Sequence, residues 1–271
     1  MMLEVRGITK SFFPHTVNER IALRNVSLTL QAGDFVTIIG SNGAGKSTLL
    51  NIVSGRYEPD SGQVLIAGED VTRQSDFEVA RRVGRVFQDP MAGTAPHLTI
   101  EENLSLALAR GKRRGLALAL TAKKRDFFRE VLASLEQGLE NRLTTKVGLL
   151  SGGQRQALSL TMATFSAPDI LLLDEHTAAL DPQRAALITR LTEQAVERYS
   201  LTTLMVTHNM EQALSMGNRL IMMHEGQIIF ELAGEAKKNA TQESLLAEFD
   251  RLRNAGGTAA GAQLSDRTLL G

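Results

Sequence analysis

Gly40-Ser41-Asn42-Gly43-Ala44-Gly45-Lys46-Ser47 combines glycines, one lysine and one hydroxyl at the spacing G-x-x-x-x-G-K-[ST]. Glycines let the backbone turn its N–H groups inward around phosphate oxygens. Lys46 can then reach the outer phosphates, and Ser47 can ligate Mg²⁺. The cradle extends from Ser41 to Thr48, where a helix begins and points its positive end at the anion. Much later, Ile170-Leu-Leu-Leu-Asp174-Glu175 sets two carboxylates behind four apolar residues. Asp174 suits the metal, directly or through water, and Glu175 suits the polarising of a water that attacks a γ-phosphate. Each run alone has a plainer reading, a glycine-rich turn or a pair of surface acids. Together they point to chemistry on a nucleoside triphosphate.

Such residues need elements to hold them. Residues 35–39 are apolar and read as a strand directly before the cradle, and residues 48–53 read as the helix after it. Residues 3–9 and 23–30 alternate with period two and read as further strands. At Thr99-Ile-Glu-Glu102 the pattern changes to a capping box, which opens a helix. After Ser151 the chain alternates helix, apolar strand at 170–173, helix at 185–196 and strand at 202–206, the rhythm of a parallel sheet covered by helices. The basic run 111–115, with Lys123-Lys124-Arg125 after it, reads as a solvated loop and helix face, or as a contact for anionic lipid or a partner. From Asn254 the chain is rich in Gly, Ala and Thr, the composition of a loosely ordered tail.

Composition narrows the classes. With 271 residues, 43% of them hydrophobic, the chain can bury a substantial core. Lys and Arg number 30, as do Asp and Glu, so there is no basic field to gather nucleic acid. No apolar run approaches the ~18 residues of a spanning helix. Residues 1–10 lack the apolar core of a secretory signal, and the absence of Cys fits the cytosol. A membrane role would therefore come through partners.

Leu150-Ser151-Gly152-Gly153-Gln154-Arg155-Gln156 is not needed to hold a nucleotide in cis and by composition alone reads as a linker. It resembles the signature motif of ABC ATPases. Its physics agrees, since Ser151, Gly152 and Gly153 can expose backbone donors at the start of a helix over 154–165, a second anion site that takes in Gln154. Other motifs of that family follow in order. Lys10-Ser11-Phe12 looks like the A-loop, with Phe12 stacking on adenine, Phe13 as the alternative, and a core role open for either. Gln88, in Val86-Phe87-Gln88-Asp89, matches the Q-loop glutamine that reaches Mg²⁺. Ala179-Leu180-Asp181 matches the D-loop, and Val206-Thr207-His208 matches the switch histidine. The resemblance covers roughly residues 3–235. His176 departs from it, standing where many relatives have proline after the catalytic glutamate. It reads as a backbone variant or as a titratable neighbour of Glu175.

The resemblance implies an α/β P-loop NTPase fold, with a RecA-like core, an antiparallel β-subdomain and an inserted helical subdomain. The expected boundaries are 1–90 and 165–235 for the ATP-binding core, 91–164 for the helical signature subdomain, and 236–271 for a C-terminal helix and flexible tail. It further implies catalysis by Glu175 and His208, with ATP and Mg²⁺ as cofactors and Ser47, Gln88 and Asp174 around the metal. Partners would be a second copy paired head to tail, transmembrane permease subunits and an external solute-binding protein, with no nucleic acid. The chain would sit in the cytoplasm, peripheral to the inner face of the membrane. The stretch 174–181, together with Gly93-Thr-Ala-Pro96, resembles importer ATPases for amino-acid-type solutes such as tryptophan or tyrosine. An exporter remains open. A non-transport ABC ATPase is disfavoured because the chain has one cassette and no extended heptads.

Overall fold

The computed structural model describes residues 1–111 and 120–255. In chain order the elements are β1 (Leu3–Phe12), β2 (Arg20–Leu30), β3 (Phe35–Gly40), α1 (Lys46–Val53), β4 (Ser61–Ile66), β5 (Glu69–Asp70), α2 (Asp76–Val79) and β6 (Val83–Val86). Then come α3 (Ile100–Leu108), α4 (Ala122–Ala133), α5 (Gly152–Thr164), β7 (Ile170–Asp174), α6 (Pro182–Tyr199), β8 (Thr202–Val206), α7 (Met210–Ser215), β9 (Arg219–His224), β10 (Gln227–Ala233), α8 (Gly234–Lys238) and α9 (Gln242–Ala255). They form two compact bodies, one of residues 1–74 with the chain from 202 onward, the other of residues 75–201.

In the first body β1 is flanked by antiparallel β2 and β4, with Leu3 opposite both Leu30 and Ile66. Register shifts let β1 continue to Phe12, three residues past the strand that alternation alone marks out. The second sheet of this body centres on β3, parallel to β8 on one side and β9 on the other, with β10 antiparallel at the edge. Buried from Phe35 to Ile39, β3 has the continuous apolar character of a strand covered on both faces. Leu245 and Phe249 of α9 pack with Ile39, Leu220 and Met222, so the C-terminal helix lies over the strand that feeds the glycine-rich loop. The tail expected from Asn254 begins inside α9, and residues 256–271 lie outside the described residues, as does 112–115 of the basic run.

In the second body β6 and β7 pair in parallel, Val83 opposite Ile170 through Val86 opposite Leu173. Helix α5 packs on β6 so closely that a β-carbon on Gly84 would stand 2.4 Å from the Ala163 carbonyl oxygen. Thr99 caps α3 through the box with Glu102 that the sequence predicts. Lys123 to Arg125 falls in α4, where Arg125 binds the carboxylate of buried Glu101 at 2.7 and 3.1 Å and so covers a charge instead of simply meeting solvent. Phe127, Phe128 and Phe165 cluster with ring centroids 5.7–6.2 Å apart and hold α4 against the end of α5.

Candidate functional site

In the first body the loop from Gly40 to Gly45 connects β3 to α1. Gly43 (φ +80°) and Gly45 (φ +98°) are left-handed, and a β-carbon on Gly45 would come within 2.4 Å of the Ala22 carbonyl oxygen. Gly45 caps α1 without a side-chain hydrogen bond, so no capping side chain is set over the helix start. Lys46 is buried, and its ammonium donates to the carbonyls of Gly40 at 2.6 Å and Ser41 at 3.1 Å. Ala44 is buried, Asn42, Gly43 and Ser47 are exposed, and Ser41 and Thr48 are half-buried. Arg20, which no motif singles out, donates to the Gly43 carbonyl at 3.3 Å.

His208 follows β8 and lines a small cavity with Gly40 and Ser41. Its turn is fixed on both sides, because Thr207 accepts from the Asn209 N–H and donates to Gln212, while Asn209 caps α7. The cavity also contains Phe249 of α9, a neighbour that motif reading could not supply. Phe12 sits edge-on to Tyr57, centroids 5.5 Å apart, and shares a surface hollow with Phe13, Asn18 and Arg20. Both alternatives for an aromatic platform therefore border one hollow. Phe13 is the more exposed and takes φ +55°. Asp60 holds the strand end beneath them, accepting from Lys10 and from the Ser11 N–H. Although burial opposes it, these bonds keep its carboxyl below the usual range.

In the second body Asp174 ends β7 and binds Arg85 of β6 at 2.9 Å, with both side chains largely buried. The same guanidinium lies 4.6 Å from the centre of the Phe87 ring. Glu175 follows in the left-handed region at φ +47°. For a non-glycine residue that costs on the order of 1–3 kcal/mol and persists only where the surroundings hold it. Two contacts do so. The Ala178 N–H donates to the Glu175 carbonyl at 3.0 Å, and the His176 ring is buried against Thr192, Nε2 to Oγ1 3.0 Å. Since Thr192 gives its own hydrogen to the Ile188 carbonyl, Nε2 of His176 is the donor. Burial lowers the pKa of His176 to about 4. That shift and the bond to Thr192 favour a packing role for the ring beside Glu175. Gln88 is exposed just past β6.

The glycine-rich run at 150–156 ends as the first turn of α5, two residues earlier than the predicted helix start. Ser151 and Gln154 form a full capping box, so the Ser151 N–H bonds Gln154 Oε1 at 3.2 Å. Of the three backbone donors expected at this end, Ser151's is thus used within the chain, and those of Gly152 and Gly153 point off the helix. The pattern S-x-x-Q was present in the sequence as a signal for this box. A β-carbon on Gly153 would stand 2.9 Å from the Arg184 side chain, which would have to shift to admit it. Asp181 caps α6, accepting from the Arg184 N–H at 3.1 Å. Two further residues went unread. Arg155 binds the carbonyl of Leu150 at 2.8 Å, and Gln156 lies fully buried beneath the turn.

The sequence profile of the ABC transporter family matches residues 23–178. The chain belongs to this family. It is 44% identical over 250 residues, 92% of the chain and 99% of its counterpart, to a tyrosine transport ATP-binding protein of Clostridioides difficile (strain R20291). A phosphonates import ATP-binding protein of Frankia casuarinae is 35% identical, with 84% of this chain and 88% of that one covered. Among solved structures, a dimeric ATP-binding cassette in a post-hydrolysis state with ADP and Pi aligns with a TM-score of 0.71 at 32% identity, over 86% of this chain and 98% of that one. This ABC protein has the P-loop NTPase fold, and it is an ATPase, the ATP-binding subunit of a transporter. ABC cassettes work as dimers with transmembrane partners. Among the described residues of this one, no helix is long and apolar enough to cross a membrane.

Proposed function

We propose that this ABC ATPase powers import of an amino acid of the aromatic class, delivered by an external solute-binding protein to separate permease subunits. The 44% identity with a tyrosine transport ATP-binding protein across 92% of the chain carries this reading. The ATPase is peripheral to the inner face of the membrane. Residues 1–90 and 165–235 act as the ATP-binding core and 91–164 as the helical signature subdomain, with 236–271 following as a C-terminal helix and tail.

Each proposed role rests on local chemistry. Ser41 to Thr48 wrap the phosphates, and Lys46 exchanges two backbone carbonyls for phosphate oxygens, a stronger partner for a cation. Ser47, Asp174 and Gln88 would hold Mg²⁺, and their hydroxyl, carboxylate and amide oxygens are the hard donors that this ion takes. Bound there, the ion neutralises charge on the β- and γ-phosphates. Asp174 would meet that role while paired through Oδ2 to Arg85 at 2.9 Å. Glu175 polarises the attacking water, and His208 donates to the γ-phosphate. Phe12 takes the adenine. A second copy, paired head to tail, contributes the hydroxyl of Ser151, the N–H groups of Gly152 and Gly153, and Gln154, with Asp181 beside the junction.

Cells of the source organism lacking this chain test the substrate class. Wild-type protein should restore uptake of labelled tyrosine or tryptophan, and Lys46→Ala should not. Restored uptake of phosphonate or polyamine instead, or restored efflux, would overturn it.

A further inference from the structure

β6 and β7 are laddered only as far as Val86 and Leu173. Beyond that rung the two chains lead to Gln88 and to Glu175, the residues assigned above to the metal and to the attacking water. Two backbone carbonyls lie past the end of the ladder, that of Phe87, directly before Gln88, and that of His176, directly after Glu175. One side chain reaches both. Gln156 Nε2 donates to the His176 carbonyl at 2.7 Å and to the Phe87 carbonyl at 3.2 Å, from a position on α5 that is wholly buried.

The chemistry of the amide matches this arrangement. A glutamine nitrogen carries two hydrogens, one for each carbonyl, and turning the amide over would set its oxygen against two acceptors. Its Oε1 is buried and accepts from no donor among the described residues, so the position uses the nitrogen end alone. Its neighbours on the helix, Ala157, Leu158 and Leu160, are buried and apolar, as a packing position requires. A residue that served only packing would carry no amide here. Meanwhile Glu175 holds a left-handed backbone, and the residue after it is fixed at its ring by Thr192 and at its carbonyl by Gln156.

We infer that Gln156 is a positioning residue for ATP hydrolysis. Its amide extends the β6–β7 ladder by one side-chain rung and fixes the chain at Gln88 and at Glu175 to the helix that begins with Ser151-Gly152-Gly153. This rests on the assignment of Glu175 as the residue that polarises water. Gln156 touches neither nucleotide nor metal and acts through the two strands' ends.

The test uses the purified full chain with Gln156→Met, which conserves length and volume and removes both donors. ATP affinity, steady-state phosphate release and the unfolding midpoint are measured, with Glu175→Gln alongside. ATP affinity and KM should stay within about threefold while kcat per nucleotide-binding molecule falls roughly 10- to 100-fold, the scale of a misplacement of about 1 Å at a reacting centre. A purely structural glutamine would lower the unfolding midpoint and the competent fraction but leave kcat per competent molecule unchanged, and that result overturns the inference. Should Gln156→Met be insoluble, Gln156→Asn keeps the amide but withdraws it by one methylene. It carries the same expectation and is overturned in the same way. If Glu175→Gln itself hydrolyses ATP at the wild-type rate, the assignment of the site fails and the inference falls with it. With Glu175→Gln inactive and Gln156→Met at full kcat, only the inference fails.

Discussion

Lys46 shows how one side chain serves both fold and chemistry. Buried in the loop, its ammonium is already desolvated and satisfied by the Gly40 and Ser41 carbonyls. Binding a triphosphate therefore exchanges neutral acceptors for charged ones without first stripping water from the cation. Lys46→Ala should lower ATP affinity by at least about 1000-fold, roughly 4 kcal/mol and so more than the roughly 1.5–3 kcal/mol of a single charged hydrogen bond, because several phosphate oxygens lose their counter-charge together. Phe12→Ala should be milder, about 1–3 kcal/mol by analogy with bases stacked on aromatic side chains, and Phe13 shares the same hollow. Nucleotide titration of the two variants checks the ranking. A larger loss at Phe12 than at Lys46 would reverse the roles given to the hollow and the loop. Arg85 presents the opposite case. It neutralises Asp174 from the adjacent strand, and nothing in its local sequence marks it as part of the site.

At the scale of elements, close packing fixes where the site residues point. Gly84 lets β6 lie on α5, and a methyl group there would meet a backbone oxygen that has no rotamer to escape through. Gly84→Ala should cost about 1–3 kcal/mol of stability, the range for overpacking a core. A lower denaturation midpoint by circular dichroism is the check. Helix α8 offers a titratable test. Lys237 is buried and donates to the carbonyls of Met216 and Gly217, and burial lowers its pKa to about 8 against 10.5 for the free side chain. Between those values the unfolded chain binds the proton more tightly than the fold does, so stability should rise with pH from about 8 to 10.5. Urea midpoints at the two ends of that window should show less of this rise in Lys237→Met than in the wild type. What the sequence revealed follows the same division by range. The Gly40–Ser47 loop, the strands at 35–39 and 170–173 and the Thr99–Glu102 box are local patterns, and they were legible. The box at Ser151–Gln154 was equally local, but its residues were read for the anion and not for the cap. The pairing of Arg85 with Asp174 and the reach of Gln156 to Phe87 and His176 span long stretches of sequence, and only the packing of α5 and β7 beside β6 creates them.

For the whole molecule the question is how chemistry proposed for one chain would govern a pair. Phosphoryl transfer asks the protein to position water and neutralise charge, so Glu175→Gln should keep the fold, the metal ligands and ATP affinity while removing the polarising carboxylate. ATP would then stay bound and intact. The N–H groups of Gly152 and Gly153 lie in the first turn of α5, where Leu180 and Arg184 stand beside the two glycines, and they are the donors that a phosphate on a second copy would meet. Glu175→Gln should therefore accumulate as a dimer with ATP and remain largely monomeric with ADP, which lacks the shared γ-phosphate. Ser151→Arg in the same background should undo the dimer. The larger side chain breaks the capping box with Gln154 and occupies the space in front of the two glycines. Size-exclusion chromatography with light scattering, paired with phosphate release, separates the outcomes. A Glu175→Gln protein that stays monomeric at every ATP concentration, or that releases phosphate at the wild-type rate, would contradict the shared-site mechanism. A dimer that survives Ser151→Arg would move the junction away from α5.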